Sequence, residues 1–190
     1  MNTQTNPAHS AARIVPARMA HLVYRCARRA ETVAWYIKLF QAHLVFEDDV
    51  LTFITYDDEH HRLAFFNMPD IPAKVAETAG VHHVAYSYDS IGDLLSTYAR
   101  LKPLDIRPFW CINHGPTTSL YYRDPEGNDV ELQADNGDDP AAYFHSDAFA
   151  NNNLGVEFDP DELFRMWQAG ASDAELSAVG TAATGKSTVM

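Results

Sequence analysis

The chain has 190 residues, 46% hydrophobic and 12% aromatic, enough to bury one sizeable core or two small modules that share one. Its formal net charge of -12 opposes attraction to nucleic acid or to an anionic membrane surface. Two cysteines are too few for a disulfide framework, and no run approaches the roughly 18 apolar residues that a membrane helix needs. We therefore expect a cytoplasmic globular protein that acts on a small molecule, with no nucleic-acid and no membrane partner.

Two halves of the sequence repeat one order of elements. The first half opens with an apolar run over 20–26, continues with a helical pattern over 30–40 and ends in three strand-like runs. The second half repeats this order, with an opening strand over 81–88, a helix over 90–101 and three further strand-like runs. Aligning the two openings sets His21 against His83, so an internal duplication is the simplest account. We expect an α+β fold in which two βαβββ modules form one cupped mixed sheet around a metal site.

The composition also predicts where these modules begin and end. Both termini are rich in small or polar residues, which is typical of mobile ends. Between 158 and 170, an acidic start, a proline in the first turn and a glycine after the last turn indicate a capped helix. In chain order the expected divisions are a flexible segment 1–17, a first module 18–75, a second module 76–136, a C-terminal helical extension 137–170 and a flexible tail 171–190.

A hairpin is the most informative local feature. Residues 124–128, with the sequence DPEGN, predict a turn between two strand-like runs. If Arg123 and Asp129 flank that turn as opposed residues, then Tyr121 lies opposite Glu131 on one face of the hairpin. Val130 and its apolar neighbour Leu132 then point to the other face.

Glu131 becomes a candidate metal ligand through this register. A carboxylate among apolar strand residues needs solvent or a partner, because an unpaired buried charge is costly. Two neutral imidazoles and one carboxylate form the facial triad of non-haem iron(II) enzymes, and His21, His83 and Glu131 can supply it. Strand alternation lets only one of His82 and His83 face the site, and we assign His83 because it aligns with His21. The matching run of the first half, residues 62–68, contains no carboxylate, so coordination positions stay open.

The same stretch carries a longer pattern, consisting of Ile112, His114, Leu120, Tyr121, Asp124, Pro125, Gly127 and Glu131. This spacing resembles the extradiol signature of the vicinal oxygen chelate superfamily, in particular the small one-domain type I extradiol ring-cleavage dioxygenases. The two strand openings resemble the family's histidine ligands, and residues 59–65 resemble the segment with its acid-base histidine. The resemblance spans about residues 19–134.

The resemblance implies a function and a role for each matching residue. His21, His83 and Glu131 would hold Fe(II), with Mn(II) as the alternative metal. His61 would be the acid-base group, and His114 and Tyr121 would hydrogen-bond the substrate. The implied activity is cleavage of a catechol-type ring with O2, such as a 2,3-dihydroxybiphenyl-like diol, in a protein that forms homo-oligomers. Two alternatives stay open, namely a glyoxalase- or isomerase-like metalloenzyme of the same superfamily and a non-catalytic protein that binds an aromatic ligand or confers resistance.

Overall fold

The computed structural model describes residues 14–137 and 139–180. The first module comprises β1 Leu22–Cys26, α1 Arg29–Phe40, β2 His43–Glu47, β3 Leu51–Thr55 and β4 Leu63–Asn67. The second comprises β5 His83–Tyr88, α2 Ile91–Leu101, a short 3₁₀ turn Lys102–Leu104, β6 Trp110–Asn113, β7 Thr117–Arg123 and β8 Asp129–Asp135. The C-terminal extension adds α3 Pro140–Tyr143, α4 Asp147–Asn151, β9 Val156–Glu157, α5 Pro160–Gln168 and α6 Asp173–Ser177. The α+β class and the two βαβββ modules are therefore confirmed.

The strands form two sheets instead of one continuous sheet. The strand orders are β1-β4-β3-β2 in the first module and β5-β8-β7-β6-β9 in the second. In each module the first strand pairs in parallel with the last, and the remaining pairs are antiparallel. Each opening strand thus pairs with the last strand of its own module and lies at the edge of its sheet. Within the described residues, no hydrogen-bonded ladder joins β1 to β5.

The two helices lie on the buried sides of these sheets because of their apolar spacing. In α2, Ser90 accepts a hydrogen bond from the Asp93 amide at the N-terminus, and the residues at positions 91, 94, 95, 98 and 101 are buried. In α1 the buried positions include Val33, Tyr36 and Leu39, while Phe40 packs at the margin of the core.

Both modules bury their helix-side faces in one shared core. Phe40 at the end of α1 packs against Tyr86 of β5, with ring centroids 4.5 Å apart. The Arg100 guanidinium of α2 donates to the Leu39 carbonyl at 2.8 Å. Tyr36 donates its hydroxyl to the buried carboxylate of Asp124 at 3.2 Å, in the turn between β7 and β8. These contacts hold the modules together through the helices and the helix-side faces of the sheets.

Strand pairing then defines an opposite face for each sheet, on the side away from the shared core. In the first sheet Val23 pairs with Ala64, Ala64 with Phe53, and Phe53 with Phe46, while Tyr24 and Phe65 point into the core. We call the face that carries Val23, Ala64, Phe53 and Phe46 the first outer face. It also carries His21, which precedes Leu22 by one residue, and Phe66. The second outer face carries Ser119, Tyr121, Glu131 and Gln133, because Leu120, Val130 and Leu132 are buried in the core.

The C-terminal extension packs on the second module. The helix expected over 158–170 forms as α5, where Asp159 caps the N-terminus and Leu163 is buried. Residues 171–180 differ from the expected mobile tail, because a capping box at Ser172 and Glu175 starts α6 and Leu176 is fully buried. Residues 1–13, 138 and 181–190 of the remaining expected segments lie outside the described residues. None of the helices in the described ranges is long and apolar enough to cross a membrane.

Candidate metal centre

The predicted register of the β7–β8 hairpin is confirmed. Arg123 is opposite Asp129, and Tyr121 is opposite Glu131. The Arg123 Nε atom donates to Asp129 at 2.7 Å, and the Asn128 amide donates to the Asp124 carboxylate at 2.7 Å inside the turn. These bonds close the turn. The length of the turn determines the strand register, and this register places the side chains of Tyr121 and Glu131 next to each other.

Glu131 is a buried carboxylate with an imidazole as its partner. The residue is 4% exposed. One of its carboxylate oxygens lies 3.0 Å from Nε2 of His83, on the neighbouring strand β5. A carboxylate this buried needs a cation or a hydrogen-bond donor, and His83 together with Tyr121 surrounds it with polar atoms.

His83 is the first residue of β5 and lies beside Glu131. Its side chain is 31% exposed beside Glu131, whereas His82 is exposed and precedes the strand. The two imidazoles contact each other through their Nδ1 atoms at 2.7 Å, which leaves Nε2 of His83 directed at the carboxylate. His83 also lines a cavity of about 500 Å³ between β1 and β5, which includes Val23 and Lys74 but neither Glu131 nor His21.

Tyr121 and His114 form a hydrogen-bonded pair next to the Glu131 carboxylate. The Tyr121 hydroxyl and Nε2 of His114 are 3.0 Å apart. Nδ1 of His114 contacts the Leu154 carbonyl, which can only accept a hydrogen bond, so Nδ1 carries a proton. Burial, followed by the charge of Glu131, raises the pKa of Tyr121 well above its usual range, so the hydroxyl stays protonated as a donor.

The two remaining candidate histidines meet on the first outer face. His21 and His61 stack with ring centroids 4.6 Å apart, and His61 stacks on Phe53 at 4.5 Å. Burial, and after it the proximity of His21 and His60, lowers the pKa of His61, which favours a neutral imidazole able to accept a proton.

The ring of His60 lies beside that of His61 and does not face away from it. Their Nδ1 atoms are 2.6 Å apart. Both residues lie in the loop before β4 and not in a strand, so strand alternation does not apply.

The sequence-predicted residues thus assemble as two groups. His83, Glu131, Tyr121 and His114 form the first, and His21 and His61 form the second. Across the described residues, no three histidine, cysteine, aspartate or glutamate side chains come together as a metal-binding group. The expectation that the opening strands bring His21 and His83 to one cavity is not met within a single chain, because the modules share their helix-side faces.

The donor atoms at Glu131 nevertheless suit a divalent metal. Two ligands at right angles about an ion with bonds of about 2.1 Å are separated by about 3.0 Å. The His83 and Glu131 donors already have that separation, 3.0 Å. Ala64 occupies the place in the first module that Glu131 occupies in the second, because Val23 pairs with Ala64 as Ala85 pairs with Glu131. No carboxylate is therefore available at that position. His21, the third residue of the donor set expected from the sequence, lies on the other outer face.

Two further contacts contribute to this site beyond those of the assigned metal and substrate residues. Trp110 packs its ring on Tyr121 at 4.7 Å, which the register of β6 and β7 explains. The C-terminal extension supplies the Leu154 carbonyl to His114, and the ring of Tyr143 lies where a side chain on Gly115 would be. The pairing of Trp110 with Tyr121 follows from strand spacing, but no local pattern predicts a contact between residues 40 positions apart.

Two pseudo-equivalent βαβββ modules, with the buried Glu131 carboxylate beside His83, define the fold class of this protein. The chain belongs to the Glyoxalase/Bleomycin resistance protein/Dioxygenase superfamily, whose model matches residues 18–132. This confirms the resemblance noted in the sequence.

Sequence and structure comparisons agree with this membership. The chain is 44% identical to "Biphenyl-2,3-diol 1,2-dioxygenase 2" of Rhodococcus globerulus over 157 residues, 80% of this chain and 83% of the relative. It is 38% identical to "Biphenyl-2,3-diol 1,2-dioxygenase 3" of the same organism over 168 residues, 86% and 88% of the two chains. A glyoxylase/bleomycin resistance protein/dioxygenase domain from Frankia sp. EAN1pec superposes with a TM-score of 0.54 at 13% identity, over 64% of this chain and 99% of that domain. This last similarity concerns the fold alone.

Proposed function

We propose that this protein is an extradiol dioxygenase that opens a catechol-type ring with O2 and incorporates both oxygen atoms. The observation that carries the proposal is the buried Glu131 carboxylate, paired with His83 and adjacent to the Tyr121–His114 pair. The two Rhodococcus relatives bear the name of this activity on biphenyl-2,3-diol, and they align with most of the chain. A biphenyl-2,3-diol or a similarly substituted catechol is therefore the substrate class that we propose.

His21, His83 and Glu131 would hold the metal, which we take to be Fe(II), with Mn(II) as the alternative. The bound metal would supply Lewis acidity toward the diol and redox chemistry toward O2. Three protein ligands leave positions free for both reactants.

The other polar residues would bind the substrate and move its protons. The protonated Tyr121 hydroxyl and the His114 ring would orient a diol oxygen by hydrogen bonding. His61, whose lowered pKa favours the neutral ring, would accept a diol proton and later return one. Trp110, packed on Tyr121, would limit the access of water to this hydroxyl. The buried thiols of Cys26 and Cys111 agree with a cytoplasmic location, which we also propose.

Metal content and oxygen uptake test this proposal together. Protein purified without oxygen and loaded with Fe(II) should bind about one iron per chain, and it should consume O2 with 2,3-dihydroxybiphenyl while a yellow ring-cleavage product forms. Glu131→Ala should lose the iron because it removes one of three protein ligands. His82→Ala is the matched control and should retain the metal, because His82 is exposed and lies outside the donor set.

Two results would contradict the proposed ligand set and the proposed activity. Full iron binding by Glu131→Ala would disprove the ligand set. Iron-loaded wild-type protein that consumes no oxygen with a panel of catechols would disprove the activity.

A further inference from the structure

The C-terminal extension reaches the Tyr121–His114 pair, although it lies beyond residue 132, where the matched family model ends. Its Leu154 carbonyl contacts Nδ1 of His114. Its strand β9 pairs with β6, and the Glu157 carboxylate of β9 accepts a hydrogen bond from the Trp110 indole at 2.8 Å. Trp110 in turn packs on Tyr121. Two separate contacts therefore connect the extension to the pair that the proposed function assigns to substrate binding.

The side chain of Asn152 holds the Leu154 carbonyl in place. The Asn152 side-chain oxygen accepts hydrogen bonds from the amides of Leu154 at 3.3 Å and of Gly155 at 3.0 Å, and its nitrogen donates to the Gly155 carbonyl at 2.8 Å. The Gly155 amide and the Leu154 carbonyl belong to the same peptide group. In a trans peptide group the N–H and C=O bonds point in opposite directions. By binding the amide on one side, Asn152 therefore directs the carbonyl toward His114 on the other.

This turn also packs directly on the main chain beside His114. Gly155 has a φ of 112°, and a Cβ atom there would lie 2.2 Å from the Asn113 carbonyl oxygen and 2.7 Å from Cα of His114. The Asn113 side chain donates to the carbonyls of Ser177 and Val179, at the end of the extension. The position of the turn relative to His114 thus depends on contacts between main-chain segments, which are less mobile than side chains.

The carbonyl restricts both the proton and the orientation of the His114 ring. A carbonyl oxygen can only accept a hydrogen bond, so the contact requires a proton on Nδ1 and excludes the neutral tautomer that carries its proton on Nε2 alone. With Nδ1 held by the carbonyl, Nε2 stays directed at the Tyr121 hydroxyl, 3.0 Å away. Without this contact, the neutral ring is free to adopt either tautomer.

We propose that Asn152 is a positioning residue for ring cleavage, which acts through the Leu154 carbonyl to fix the Nδ1 proton and the orientation of His114. This inference rests on the proposed function, because that function assigns His114 to the diol. Asn152 acts through a peptide group and not on the substrate. The C-terminal extension is thereby a working part of the active site and not only a cover on the second module.

NMR of the ¹⁵N-labelled histidine rings tests this inference without iron or substrate. In the iron-free wild type at about pH 8, the His114 signals, assigned by their loss in His114→Gln, should show a proton on Nδ1. Asn152→Ala releases the Leu154 peptide group, so part of the His114 population should carry its proton on Nε2 alone. Asn153→Ala is the matched control and should keep the wild-type spectrum, because Asn153 is the exposed neighbour. A wild-type ring with its proton on Nε2 alone would overturn the inference, whether or not Asn152→Ala folds.

Oxygen uptake measures the consequence for the reaction. Iron-loaded Asn152→Ala should bind as much iron as the wild type, but its kcat/KM with 2,3-dihydroxybiphenyl should fall by about 10- to 100-fold, the usual effect of a small misplacement beside the substrate. Asn153→Ala should react at the wild-type rate. Adding Asn152→Ala to His114→Gln should cause no further fall, because Asn152 acts only through His114.

The outcomes separate this inference from the proposed function. An active wild type whose Asn152→Ala variant has an unchanged kcat/KM, or loses as much in the His114→Gln background as in the wild type, would overturn the inference and leave the proposed function intact. If the wild type consumes no oxygen with any catechol while the NMR spectra change as expected, the proposed function fails and the positioning of His114 by Asn152 stands.

Discussion

Removal of the Tyr121 hydroxyl gives the sharpest test of the second outer face. The hydroxyl lies 3.0 Å from Nε2 of His114, and the charge of Glu131 contributes to its raised pKa. Tyr121→Phe leaves the ring packed on Trp110 but deprives buried polar groups of a partner. We expect the free energy of unfolding to fall by about 1–3 kcal/mol, the usual cost of an unsatisfied buried group.

The same change should lower turnover without removing the metal. A hydrogen bond to an anionic substrate oxygen contributes about 1.5–3 kcal/mol, and each 1.36 kcal/mol is tenfold in rate, so kcat/KM should fall by about 10- to 150-fold. Iron content should equal that of the wild type, because Tyr121 is not a ligand. Urea denaturation, metal analysis and oxygen uptake measure the three quantities separately.

Tyr122→Phe is the matched control, one residue along the same strand. Tyr122 is fully buried on the core side, and its hydroxyl has no hydrogen-bond partner among the described residues. Replacing that hydroxyl with hydrogen should leave activity unchanged and should leave stability equal or higher. If Tyr121→Phe keeps kcat/KM within about twofold of the wild type, the hydroxyl does not act on the substrate and our reasoning about this face is wrong.

Two further outcomes follow from the burial of single residues. His61→Ala should retain iron but lower kcat by about 10²- to 10⁴-fold, the usual contribution of a positioned proton-transfer group. The exposed His43 of β2 serves as the control, and equal turnover of the two alanine variants would assign the proton to another group. Burial raises the pKa of the Cys26 and Cys111 thiols to about 12, so at pH 8 about one thiol in ten thousand is ionised, against about a quarter for an ordinary cysteine. Iodoacetamide should therefore modify both thiols about a thousandfold more slowly in the native protein than in urea, and rapid native labelling would contradict their burial.

Features that depend on short-range geometry were predictable from the amino-acid sequence alone. The DPEGN turn determines the length of one loop, and loop length determines strand register, so the opposition of Tyr121 and Glu131 was predictable. The duplicated order of strands and helices follows from apolar periodicity, which is why both modules form as expected.

The way in which the two modules face each other depends on tertiary packing and was not predictable from the sequence. Periodicity marks an apolar side for every element, but it does not state which module buries that side, and here α1 and α2 bring the helix-side faces together. His21 was therefore expected beside Glu131 of its own chain, yet it stacks with His61 on the other outer face. The contact between His114 and the Leu154 carbonyl could not be predicted from the sequence either. It joins residues 40 positions apart through the packing of the C-terminal extension on β6. Contacts between residues that are close in sequence are determined by local backbone geometry. The relative placement of whole modules depends instead on the sum of many contacts between residues distant in sequence.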